Sequence, residues 1–102
     1  MALTQTLTSV SAATATNVFT ATADQVVHLR IVNNGSTAGT FNLSISTTTA
    51  TQQASGLIVP DGYQIAAKTA LEITGIAMNT TNEFLVITST VAVNTIASAT
   101  SI

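Results

Sequence analysis

Residues 25–46 read QVVHLRIVNNGSTAGTFNLSIS, and this stretch decides the fold class. From Gln25 to Val32 the side chains alternate. Val27, Leu29 and Ile31 point one way, His28 and Arg30 the other. A period of two belongs to a half-buried β-strand. Asn33-Asn34-Gly35-Ser36 breaks the pattern, and Asn-Gly is a strong tight-turn signal. From Thr40 to Ser46 the alternation resumes, with Phe41, Leu43 and Ile45 inward and Asn42 and Ser44 outward. The stretch predicts a hairpin with a loop of about six residues.

Working outward, the rest of the chain also reads as strand and turn. Thr47 to Ser55 (TTTATQQAS) is polar and low in complexity, which predicts a long loop or a weak, exposed edge. Gly56 to Val59 is a short apolar strand turned by Pro60-Asp61-Gly62. Tyr63 to Ala67 is a further short strand. Leu71 and Ile73 alternate with Glu72 and Thr74, and Gly75 marks a bulge or bend. Asn79 to Asn82 is a polar turn. In Glu83–Thr90, Phe84, Val86 and Thr88 face opposite Leu85 and Ile87, and Val91–Ala97 closes the domain. Asn17–Thr22 reads as a strand, while Leu3 and Leu7 sit in a strand or a loose arm.

Short strands at this spacing predict an all-β, antiparallel β-sandwich, jelly-roll-like, with about seven to nine strands. The expected core is Leu29, Ile31, Phe41, Leu43, Ile45, Leu71, Ile73, Phe84 and Val86. The expected organisation is an N-terminal arm or first edge strand over residues 1–16 and a single sandwich domain over residues 17–102.

Charge is scarce. Asp24, Arg30, Asp61, Lys68, Glu72 and Glu83 are the charged residues, 6% of the 102-residue chain. An ordinary domain carries roughly a quarter. Threonine and serine make up about three residues in ten. Mixed surface charge keeps ordinary monomers soluble and apart. A surface of hydroxyls and methyls is cheap to desolvate, whereas a buried Lys or Glu must be paired or neutralised. The composition therefore suits a subunit packed against other subunits. With two basic residues, no run of phosphates can be neutralised, which argues against nucleic acid and against an anionic membrane surface. With no cysteine there is no disulfide framework and no thiolate metal site. MALTQTLTS has neither a basic nor an apolar leader region, so synthesis and assembly in a cytoplasm are expected.

No constellation of residues points to catalysis. His28 is the one histidine. Asp24, four residues earlier, would share its strand face about 13 Å away, and a zinc site wants three or four ligands. Ser55 lies in QASGL without the glycines of a nucleophile elbow. Glu72 and Glu83 alternate with apolar neighbours, as outward-facing charges do, rather than forming an acid–base pair. The Asn-x-Ser/Thr matches at Asn34, Asn42 and Asn79 are expected by chance in so hydroxyl-rich a chain. No catalytic, cofactor-binding or metal-binding residue is assigned, no cofactor is expected, and the chain does not read as an enzyme.

The last third reads as one phrase: Ala66-Ala67-Lys68-Thr69-Ala70-Leu71-Glu72-Ile73-Thr74-Gly75-Ile76, then Leu85-Val86-Ile87-Thr88-Ser89, then Val91-Ala92-Val93. Together with Leu29–Asn34, it resembles small β-sandwich virion structural proteins of tailed bacteriophages, of the capsid decoration (cement) type, and related neck and tail components. The resemblance implies a homo-oligomer, a trimer being favoured, made in the host cytoplasm and located on the virion. Its partner would be the major capsid protein or other virion proteins. A neck, tail or fibre component is the alternative within that class. A host- or carbohydrate-binding module is the alternative outside it, although the chain lacks Trp and a carboxylate cluster.

Overall fold

The computed structural model describes residues 3–79 and 83–101. It contains eight strands: β1 (Leu3–Val10), β2 (Thr16–Thr20), β3 (Gln25–Asn33), β4 (Gly39–Ser46), β5 (Tyr63–Ile65), β6 (Thr69–Met78), β7 (Phe84–Ser89) and β8 (Val93–Ser101). One 3-10 turn, Ala54–Gly56, stands between β4 and β5. The strands form two four-stranded sheets, ordered β1-β8-β3-β6 and β2-β7-β4-β5, with every pairing antiparallel. The fold is an antiparallel sandwich, as the alternation predicts.

The order has a simple logic. β1 pairs with β8, β2 with β7, β3 with β6 and β4 with β5. The first half of the chain thus runs antiparallel to the second, as one long hairpin. Rolling that hairpin up brings β8 beside β3 and β7 beside β4. This is the winding of a jelly roll.

Each strand turns one face inward. β3 contributes Val27, Leu29 and Ile31, β4 Phe41 and Leu43, β7 Leu85 and Ile87, and β8 Val93, Ala97 and Ala99. Large residues packed among alanines fill the space of about 10 Å between two such sheets. β2 carries a bulge between Asn17 and Phe19, where its register on β7 shifts. The extra residue lets two consecutive side chains, Val18 and Phe19, both reach the core. β6 carries another bulge, because Thr74 and Gly75 together oppose His28. Gly75 has φ +73°, a conformation that glycine adopts without a Cβ penalty.

Three expectations are corrected. Gln25–Ser46 is not a hairpin, because β3 and β4 belong to different sheets. The connection crosses the edge of the sandwich and is fastened by Asn33. Its buried Nδ2 donates to Thr37 O (2.9 Å) and Ala66 O (3.2 Å), and its Oδ1 accepts from Gly35 N. Hairpins and crossings share one local signature, alternation around a turn, and only the core decides between them.

The parity of β7 is also reversed. Leu85 and Ile87 face the core, whereas half-buried Phe84 and fully buried Val86 lie on the outer face. Both faces of β7 are apolar, so alternation cannot say which one is inside. Ile45, Leu71 and Ile73 are partly buried against the core, less completely than expected.

The third correction concerns Gly56–Val59, which is no strand. Leu57 makes one isolated bridge to Ser44, and Ile58 N donates to Leu43 O. Pro60-Asp61-Gly62 does not reverse the chain either. Leu57 and Tyr63 both lie antiparallel along β4, so these residues form an excursion within one broken edge. Thr47–Ser55 is a long loop, as its polar composition predicts, and Gln52 and Gln53 fasten it to β4. The polar turn expected at Asn79–Asn82 falls mostly outside the described residues.

Candidate functional site

The two sheets present two different outer faces. On β2-β7-β4-β5, the segment that leaves β4 at Thr47 crosses the outer face at Gln52 and Gln53 before joining the sheet edge at Leu57, and it is fastened by the outward side chains of β4. Ser44 Oγ donates to Gln52 Oε1 (2.5 Å) and accepts from Gln53 N (3.2 Å). Gln52 Nε2 lies 3.0 Å from Val86 O, 3.1 Å from Asn42 O and 3.1 Å from Thr88 Oγ1. Its two protons are shared among these three acceptors. Gln53 Oε1 accepts from Thr47 N (3.0 Å), and Asn42 Oδ1 accepts from Gly62 N (2.7 Å). Ser44 and Ser46 are therefore buried although they face away from the core. Gly56 makes the approach possible, since a Cβ there would collide with the Ile45 carbonyl oxygen.

On β1-β8-β3-β6, among the described residues, no segment plays that part. The registers align the outward side chains in four rows across the sheet. Ser9, Asn94, Val32 and Ala70 form one row, and Leu7, Ile96, Arg30 and Glu72 the next. Gln5, Ser98 and His28 follow, ending at the β6 bulge. Leu3, Thr100, Val26 and Ala77 form the last. Leu7 and Leu3 are 72% and 67% exposed, more than any other large hydrophobic residue described. Arg30 Nη1 and Glu72 Oε1 form an ion pair at 3.3 Å with both side chains more than half exposed. Such a pair contributes little to stability, about 0–1 kcal/mol. Beside it, Gln5, His28, Ile96 and Ser98 line a shallow depression of about 290 Å³.

The residues weighed for catalysis do not converge. His28 is exposed on the outer face of β3, whereas Ser55 lies in the 3-10 turn over the other sheet and accepts from Gln53 Nε2. Glu72 is engaged with Arg30 on β6, and Glu83, at the entrance of β7, accepts the Asn79 amide through Oε1 (2.7 Å). Among the described residues no group of three or more His, Asp and Glu is placed to hold a metal ion. A larger groove of about 550 Å³ runs between β5 and β6, lined by Ala38, Gly39, Gln64, Ile65, Thr69 and Leu71 without a charged group.

What the geometry offers is a surface. The sheet β1-β8-β3-β6 presents leucine, valine, isoleucine and hydroxyl groups around the Arg30–Glu72 ion pair, with β3 and β8 rooted in the core and β1 held along β8. Its rows could not be assembled from sequence, because they require the registers of three strand pairs at once. Comparison with protein-family models, curated proteins and solved structures returned no match.

Proposed function

We propose that this chain is a structural subunit of a tailed-phage virion, most specifically a capsid decoration protein that binds the major capsid protein and copies of itself. The observation that carries this reading is the open face of the β1-β8-β3-β6 sheet. Its two exposed leucines, Leu3 and Leu7, and the solvent-exposed Arg30–Glu72 ion pair make a surface that is cheap to dehydrate. Burial of apolar area is the main favourable term in such association. Jelly rolls are common in viral shells, an analogy of architecture rather than of site. The resemblance of Ala66–Val93 to decoration proteins supplies the rest.

The mechanism is mechanical. Genome packing expands a shell, and an added subunit that spans neighbouring capsomers buries area only in the expanded lattice. Selective binding stabilises that state by mass action. Several weak contacts held in one oligomer act together through effective concentration.

The test is a stained gel of purified particles together with binding to expanded and unexpanded shells. The expected result is a copy number comparable to that of the major shell protein, with saturable binding to the expanded form alone. Washing from about 0.1 to 1 M salt, which shortens the screening length from roughly 10 to 3 Å, should leave it attached. A handful of copies per particle moves the chain to the neck or tail. Absence from the particle ends the proposal.

A further inference from the structure

A two-sheet sandwich has four edge strands, here β1 and β6 on one sheet and β2 and β5 on the other. An open edge offers unpaired amides and carbonyls to any passing strand, and folded proteins usually blunt it. Three of these edges are blunted. β5 has only three residues. β2 has five and is bent by its bulge. β6 is broken by the bulge at Thr74 and Gly75 and carries Glu72.

β1 has no such protection. It runs for eight residues, LTQTLTSV, with no charge, proline or glycine. Its register on β8 is unbroken from Leu3 to Val10. Its outward face carries the two most exposed leucines described.

We infer that β1 is a self-association strand, pairing antiparallel with β1 of a second copy about a two-fold axis through Gln5. An open edge needs another open edge, and among the described strands only β1 provides one. The occupant is therefore a second copy of this chain. The side-chain order agrees. A two-fold axis normal to the sheet sets odd positions against odd and even against even. With the axis at Gln5, Leu3 meets Leu7 of the second copy, Leu7 meets its Leu3, and Thr4 meets Thr6. Apolar pairs and threonine pairs of this kind favour strand association. Moving the axis to Thr6 would instead set Leu3 against Ser9 and Gln5 against Leu7. The result is one continuous eight-stranded sheet, with Ile96 and Leu7 of one copy beside Leu3 of the other.

This contact names the self-association left open under the proposed function, and it is two-fold where the likeness to decoration proteins favours three-fold. It is tested without any particle, so the two readings fail separately. A monomer that decorates shells keeps the shell reading and ends this one.

The experiment uses the purified full chain, which has no cysteine of its own. Sedimentation equilibrium is expected to show a dimer at micromolar concentration. Directly opposite residues in an antiparallel pair have Cα atoms about 4.5–5.5 Å apart, within disulfide range. Gln5→Cys should therefore cross-link fully to a covalent dimer under mild oxidation. Ser98→Cys, one strand inward on the same face, would stand about 14 Å from its mate and should not. Gln5→Lys and Gln5→Glu should each weaken the dimer by about fivefold, as two like charges near 4 Å in water would. An equal mixture of the two variants should restore it. A wild-type monomer, a trimer, or a dimer in which Gln5→Cys links no better than Ser98→Cys overturns the inference.

Discussion

The outer face of β2-β7-β4-β5 is crossed by the chain's own loop at Gln52 and Gln53, while that of β1-β8-β3-β6 leaves Leu3 and Leu7 in solvent. The open face is the more apolar of the two along its edge strand. The crossed face is the more polar along β4, with Asn42, Ser44 and Ser46. Polarity here marks attachment rather than contact with water. Serine and asparagine on β4 supply hydrogen bonds to the backbone of the loop that crosses them, at Gln53 N and Gly62 N. The leucines on β1 make no such demand and are available to a separate surface. An outward-facing hydroxyl therefore does not identify a wet face in this molecule, nor does an outward-facing leucine identify the core.

The largest expected effect sharpens this contrast on β7, where Phe84-Leu85-Val86-Ile87 is apolar at every position. Leu85→Ala should cost about 2–5 kcal/mol, the usual range for a buried leucine. Phe84→Ala, half-buried on the outer face, should cost less than about 2 kcal/mol despite removing the larger side chain. Urea unfolding of both variants checks the order. A larger loss at Phe84 would restore the parity that alternation alone suggests and undo the assignment of faces.

The crossing loop is next. Gln52→Ala removes the donor shared by Val86 O, Asn42 O and Thr88 Oγ1 and the acceptor of Ser44 Oγ. Buried polar groups left without partners cost about 1–3 kcal/mol. Hydrogen exchange should quicken over residues 52–62 and along β4, with β1 and β8 unchanged. Uniform exchange across both sheets would mean that the loop is merely draped and that the two faces do not differ.

The smallest effect lies on the open face. Glu72→Gln breaks an ion pair between two side chains that are more than half exposed. It should change stability by no more than about 0.5 kcal/mol, and added salt should mimic it. Thermal unfolding in low and high salt measures both. A loss comparable to that of Gln52→Ala would mean that this face organises the fold and is not a free surface.

Much of the fold was legible because a sandwich strand writes its period into the chain. Val27-His28-Leu29-Arg30-Ile31 and Phe41-Asn42-Leu43 give strand, inward face and core members in one reading, and Gly75 announces its bulge. β7 defeats that reading, since Phe84-Leu85-Val86-Ile87 is apolar on both faces. The crossing loop defeats it differently. Gln52 and Gln53 sit in a threonine-rich tract, and nothing in their spacing marks them as the residues that hold it to the sheet. The open face was half legible. His28, Arg30 and Glu72 were visible as outward residues, but Leu3, Leu7 and Ile96 were not, nor was the alignment of all of them in rows.

By itself the sequence determined most of the strands, the absence of thiol chemistry and the low charge of every surface, because these depend on residue type and local period. Tertiary structure alone decided that β3 and β4 part into different sheets, that Val86 is buried outside the main core, and that β1 is, among the described strands, the edge without a guard. Each of these depends on which strands become neighbours. Neighbours are chosen by the burial of a shared core between segments far apart in the chain, and no local window contains both sides of that choice.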